Sequence, residues 1–199
     1  MSNFRAADRD SARTDAQAKE RLLRVLDRSL STVCTGPIWL VSPVPGSSDE
    51  HSAITNPPAI HVKAGNSSLF LRSTLRFTYV DDERFRGERK VSTCHYAHTV
   101  GESEFLKPQL YSWEWASSEP RYPHLHIRRS DPAFHGLGKL HIPTGRVFYE
   151  DVLRFLIAEH GVEVARADWQ DVLDESFRRV STFASWGGGH HERPRSEDA

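Results

Sequence analysis

Apolar and polar residues alternate from Leu69 to Tyr79, where Leu69, Leu71, Leu75, Phe77 and Tyr79 are interleaved with Arg72, Thr74, Arg76 and Thr78. A period of two sends successive side chains to opposite faces, so this stretch predicts a half-buried strand. After a charged, turn-like run from Asp81 to Gly87, the β-branched and aromatic residues Val91, Thr93, Tyr96, Thr99 and Val100 favour a second strand over Lys90 to Val100. Gln109 to Ala116, with Tyr111, Trp113 and Trp115 on one face, predicts a third, and His124 to Arg128 a fourth. Short polar turns join these segments and no helical pattern intervenes, which points to an antiparallel meander.

Elsewhere the period lengthens. Leu22, Leu23, Leu26 and Leu30 recur at three- and four-residue spacing and predict a helix from Asp15 to about Ser31, capped by Thr14 or Asp15. Val152, Leu153, Leu156 and Ile157 predict a helix from Phe148 to His160, with Gly161 just past its end. A last helix, capped by Asp168, carries the stripe Trp169, Val172, Leu173, Phe177, Val180 and Phe183. Residues 35–66 hold Pro37, Pro43, Pro45, Pro57 and Pro58, and read as a long irregular segment anchored by Ile38-Trp39-Leu40-Val41. The predicted fold is a single α+β domain over 15–186: an N-terminal helix, a four-stranded antiparallel meander and two C-terminal helices packed on the sheet. Residues 1–14 and 187–199 are expected to be disordered for want of apolar content.

Composition adds limits more than direction. With 38% hydrophobic and 27% charged residues among 199, the chain buries a core of ordinary size. A formal net charge of -1 gives no global basic field, so contact with nucleic acid would need a local patch. Arginine, at 21 residues against 5 lysines, supplies one, although genomic base composition explains that ratio as well. Cys34 and Cys94 form no CxxC pair. No apolar run is long enough to span a bilayer and the first residues are polar, which predicts a cytoplasmic protein without membrane contact.

Candidate chemistry gathers between Arg121 and Tyr149, which contains four of the eleven histidines. On the predicted fourth strand His124, His126 and Arg128 share one face, about 6.6 Å apart along the chain, while Leu125 and Ile127 turn to the core. Imidazole titrates near neutrality, so such a pair suits acid–base catalysis, phosphate binding or a divalent metal. Cleavage of RNA by its own 2′-hydroxyl needs a base, an acid and a cation for the phosphorane. His124, His126 and His141 are the candidate catalytic residues, and Arg128 and Arg146 the candidate phosphate contacts, near the N-terminal amides of the helix at Phe148. This scheme requires no cofactor. Metal binding by His124, His126, His135 and His141 is the sharper alternative, with Asp131 the nearby carboxylate, although their spacing matches no established zinc motif. Tyr111, Trp113 and Trp115 would offer stacking faces to unpaired bases, or, as aromatic stripes more often do, fill the core.

The run PHLHI, followed by HIPTGRV and an EDVLRFLI helix, resembles a group of uncharacterised bacterial proteins, chiefly of high-GC genomes. More distantly it is similar to the TumE-like toxins of toxin–antitoxin modules, which sit near the barnase, EndoU, colicin and RelE group of ribonuclease folds. The likeness covers roughly Leu69 to Trp186. It implies an α+β domain, ribonuclease activity with His124, His126 and Arg128 at matching positions, and RNA and an antitoxin protein as partners. The segment before Leu69 departs from the compact toxin pattern. His124-Leu125-His126 is also similar to the HUH signature of metal-dependent single-strand DNA endonucleases, with Tyr149 in the place of the helical nucleophile, although Tyr149-Glu150-Asp151-Val152 lacks the usual lysine. A third reading makes the histidine strip a binding surface for a partner protein, without turnover.

Overall fold

Strand formation extends well beyond the four predicted segments. The computed structural model describes residues 12–36, 38–116, 122–127 and 141–186. Among these, nine strands form one sheet: β1 (Ile38–Pro43), β2 (His51–Asn56), β3 (Ile60–Ala64), β4 (Ser67–Asp81), β5 (Arg89–Gly101), β6 (Gln109–Ala116), β7 (His124–Ile127), β8 (Ile142–Pro143) and β9 (Ala184–Trp186). Their order is β1-β2-β4-β5-β6-β7-β8, with β3 also on β4 and β9 also on β5. All pairings are antiparallel except β5 with β9. The run β4-β5-β6-β7 is the meander that the alternation predicts, set inside a larger sheet. The predicted strand end at Arg128 lies outside the described residues.

The segment 35–66 is the main correction: it is not irregular but supplies β1, β2 and β3. Its prolines punctuate the strands rather than abolish them. Pro43 ends β1, Pro45 and Gly46 lie in the turn where the Val44 amide bonds the Glu50 carbonyl at 2.9 Å, and Pro57 and Pro58 separate β2 from β3. Both β2 and β3 run along the same edge of the long β4, pairing with Ile54↔Thr74 and Ile60↔Leu71 at the break. Ala53 and Thr55 are buried before the break and Ile60, Val62 and Ala64 after it. The extra residues at the prolines thus shift the parity by one, which keeps the apolar set on the core side.

Three helices complete the fold: α1 (Asp15–Leu30), α2 (Tyr149–His160) and α3 (Trp169–Phe183). Thr14 caps α1 with a reciprocal box, its Oγ1 accepting from the Gln17 amide at 3.2 Å and Gln17 Oε1 from the Thr14 amide at 3.2 Å. Gly161, at φ 62, ends α2 in the left-handed region that glycine tolerates. Asp168 stands before α3, with its carboxylate engaged by Arg166 at 2.8 Å. Leu22, Leu26 and Leu30 of α1 and Val152, Leu153 and Leu156 of α2 join Phe77, Val91, Tyr96, Trp113 and Trp115 of the sheet in one core. Phe155 of α2 meets Tyr111 and Trp113 of β6 edge-on, and Leu173 of α3 belongs to the same core. The packing of α3 is chiefly against α1 and α2, with Phe177 edge-on to Phe148 at 4.8 Å and Val180 beside Val25. Residues 12–14, counted with the disordered N-terminus from sequence, are placed: Ala12 is buried and its carbonyl accepts from the Arg89 amide at 2.6 Å. Residues 1–11 and 187–199 lie outside the described residues.

Gly101 ends β5 where the connection to β6 folds back over it. A Cβ there would stand 2.6 Å from Leu106 Cα and 2.8 Å from its carbonyl carbon, both backbone atoms that cannot rotate away. Gly101→Ala should therefore destabilise the fold by roughly 1–3 kcal/mol, the usual cost of overpacking, seen as a lower urea midpoint with an unchanged slope.

Candidate metal centre

Register decides where the histidines point. Leu125 pairs with Trp113 and Ile127 with Tyr111, whereas His124 pairs with Glu114 and His126 with Ser112. Trp113 and Tyr111 face α2, packing edge-on to Phe155 at 5.3 and 5.2 Å. His124 and His126 are therefore on the opposite face of the sheet, away from the helices. The return strand β8 pairs Pro143 with His124 and Ile142 with Leu125, so His141 arrives alongside His126. The Thr144 amide closes that pairing on the Pro123 carbonyl at 2.8 Å.

The three imidazoles converge. His124 and His141 stack with ring centroids 4.6 Å apart, and His126 stands edge-on to both at 4.8 and 4.6 Å. One ring nitrogen from each lies within 4.8 Å of the others. Ligands about 2.0–2.1 Å from a single tetrahedral ion stand about 3.3 Å from one another, so gathering them asks for inward movement of order 1 Å, a small side-chain rotation. His124 is buried and its Nδ1 lies 3.0 Å from the Tyr122 carbonyl, to which it donates as the N–H tautomer. That leaves Nε2 with its lone pair, the arrangement ligating histidines adopt.

A carboxylate completes the surroundings. Glu114, on the strand beside β7, holds Oε2 3.9 Å from His126 Nε2, while its Oε1 accepts from Ser112 Oγ at 2.5 Å. Ser112 Oγ is in turn 3.1 Å from Thr99 Oγ1 on β5. Glu114 was missed from sequence because it lies between Trp113 and Trp115 in a strand read for its aromatic face. Its signal is parity: it occupies the face that the aromatic stripe leaves.

Of the other predicted site residues, Arg128, together with His135 and Asp131, lies outside the described residues. Arg146 is not with the histidines. Its guanidinium lies 4.1 Å over the Phe148 ring at the start of α2, half-buried near Tyr96 and Glu150, and that burial lowers its pKa to about 10. Phe148 and Tyr96 belong to the helix side, so the sheet separates Arg146 from the imidazoles. The expected anion cradle at the N-terminus of α2 is also occupied, because Asp151 Oδ2 accepts from the Phe148 amide at 2.9 Å. Tyr149 is only 3% exposed, edge-on to Trp39 at 5.2 Å, and cannot reach a substrate on the histidine face. Trp113 and Trp115 are core rather than base-stacking surface. No family model, curated protein or solved structure matches the chain.

The helix side carries its own buried polar groups. Ser29 Oγ donates to Glu150 Oε1 at 2.7 Å, and burial raises the pKa of that carboxyl. His98, 1% exposed, bonds Ser73 Oγ through Nδ1 at 3.1 Å and packs on Tyr149. Burial, aided by His95, takes the pKa of His98 down to about 3, against 6.5 in an open chain. Between those values the unfolded chain binds the proton and the folded one does not, so stability falls as pH falls through this window. By pH 5 the contribution is about 2 kcal/mol at 1.36 kcal/mol per unit. Chemical denaturation at pH 7 and pH 5 should show that loss in the wild type, and a difference smaller by about that amount in His98→Phe.

Proposed function

We propose that the chain is a metalloprotein whose centre is formed by His124, His126 and His141, and that it acts as a divalent-metal hydrolase. The observation that carries this reading is the approach of three ring nitrogens to within 4.8 Å of one another, with one of the three imidazoles already fixed in its ligating tautomer by a backbone carbonyl. Three histidines around one ion leave a fourth position open, the pattern of catalytic rather than structural zinc. Such an ion supplies Lewis-acid polarisation and the activation of water. The protein's own part is to hold two imidazoles on β7 and the third just before β8, whose pairing with β7 keeps the ligands in register.

Glu114 weighs against the metal-free ribonuclease. That mechanism asks for a cation beside the histidines to hold a phosphorane; among the described residues Arg146 lies on the helix side of the sheet, and a carboxylate stands 3.9 Å from His126. A carboxylate in that position opposes an anion and favours a cation. The HUH reading loses its nucleophile with the burial of Tyr149. RNA stays the first substrate class to try, carried over from the resemblance to toxin ribonucleases, with an antitoxin protein as the corresponding partner.

Calorimetric titration of chelator-treated protein with Zn2+ should give one site per chain, lost in His124→Ala, His126→Ala and His141→Ala. Incubation with total RNA should give cleavage that EDTA abolishes and Zn2+ restores. Absence of binding removes the metal centre. Cleavage indifferent to EDTA returns the acid–base ribonuclease, and binding without turnover leaves a metal-dependent partner-binding protein.

A further inference from the structure

We infer that Glu114 is a positioning residue of the metal centre, turning His126 so that it offers Nδ1 to the ion while His124 offers Nε2. This rests on the metal reading above. The carboxylate is held from behind. Its Oε1 is fixed by Ser112 Oγ at 2.5 Å, and Ser112, fully buried, is tied to Thr99 on the next strand at 3.1 Å. Two adjacent strands, β5 and β6, thus pin one carboxylate oxygen, and the other is left toward His126 Nε2 at 3.9 Å. That separation is within ion-pair range but about 1 Å longer than a charge-assisted hydrogen bond. The movement that draws the rings onto an ion is of the same order.

Glu114 lies beyond the three nitrogens that converge, so it acts on a ligand rather than serving as one. A neutral imidazole that donates Nε2–H to a carboxylate carries its lone pair on Nδ1. At His124 the roles are reversed, because Nδ1 donates to the Tyr122 carbonyl. Two histidines on one strand face, two residues apart, are therefore steered to opposite ring nitrogens by different acceptors, a backbone carbonyl and a carboxylate. The carboxylate also offsets part of the charge that a divalent ion brings to the sheet.

Long-range 1H–15N spectra of the zinc-loaded, 15N-labelled full chain should show His124 bonded through Nε2 and His126 through Nδ1, with His126 protonated at Nε2. Competition against a chromophoric chelator should show Glu114→Ala binding zinc about 10–100-fold more weakly, with an unchanged metal-free melting temperature. Glu114→Gln, which keeps an acceptor, should recover part of that loss. Wild-type protein that binds no zinc would remove the centre itself. Wild-type binding with His126 bonded through Nε2, or Glu114→Ala matching wild type in affinity, would overturn the positioning role alone. If Glu114→Ala does not fold, the wild-type spectra decide.

Discussion

The packing of α2 on the aromatic stripe of β6 is the constraint from which the arrangement of the site follows. Phe155 meets Tyr111 and Trp113 edge-on, and Trp113, Trp115 and Tyr96 belong to the buried core against which Phe155 and Tyr111 pack. Burying large aromatic side chains contributes more than any polar contact on the surface. Once that stripe is committed to the helices, alternation sends Ser112 and Glu114 to the other face, and pairing sends His124 and His126 after them. A one-residue slip of β7 would carry both imidazoles to the helix side of the sheet and Leu125 and Ile127 to the opposite face.

The two faces then do different work. On the helix side, Ser29 is enclosed with Glu150 and Ser73 with His98. Such groups are held neutral or weakened as acids and bases by burial, which suits them to specifying the core rather than to catalysis. On the far side, Thr99, Ser112, Glu114 and His126 form a polar sequence that crosses from β5 to β7. His141 is added by the short return strand β8, which contributes little area but delivers the third imidazole. Among the described residues, no helix is long and apolar enough to cross a membrane.

Much of this was legible in the chain itself. Period-two alternation marked β4 to β7, period 3.6 marked the three helices, Gly161 marked the end of α2, and the PHLHI run marked two imidazoles on one face. These are local signals, set by the geometry of the backbone over a few residues. The strands at Ile38–Pro43, His51–Asn56 and Ile60–Ala64 were hidden because prolines at their ends resemble breakers until β4 is present to pair with them. What only the tertiary structure decided was which distant groups meet. Arg146 and the α2 N-terminus, close to the histidines along the chain, fall on the wrong side of the sheet, while Glu114 reaches His126 by cross-strand register. Alternation assigns residues to two faces within each strand, but the face turned to the core, and the neighbours across it, are fixed only when the sheet and helices bury their apolar sides together.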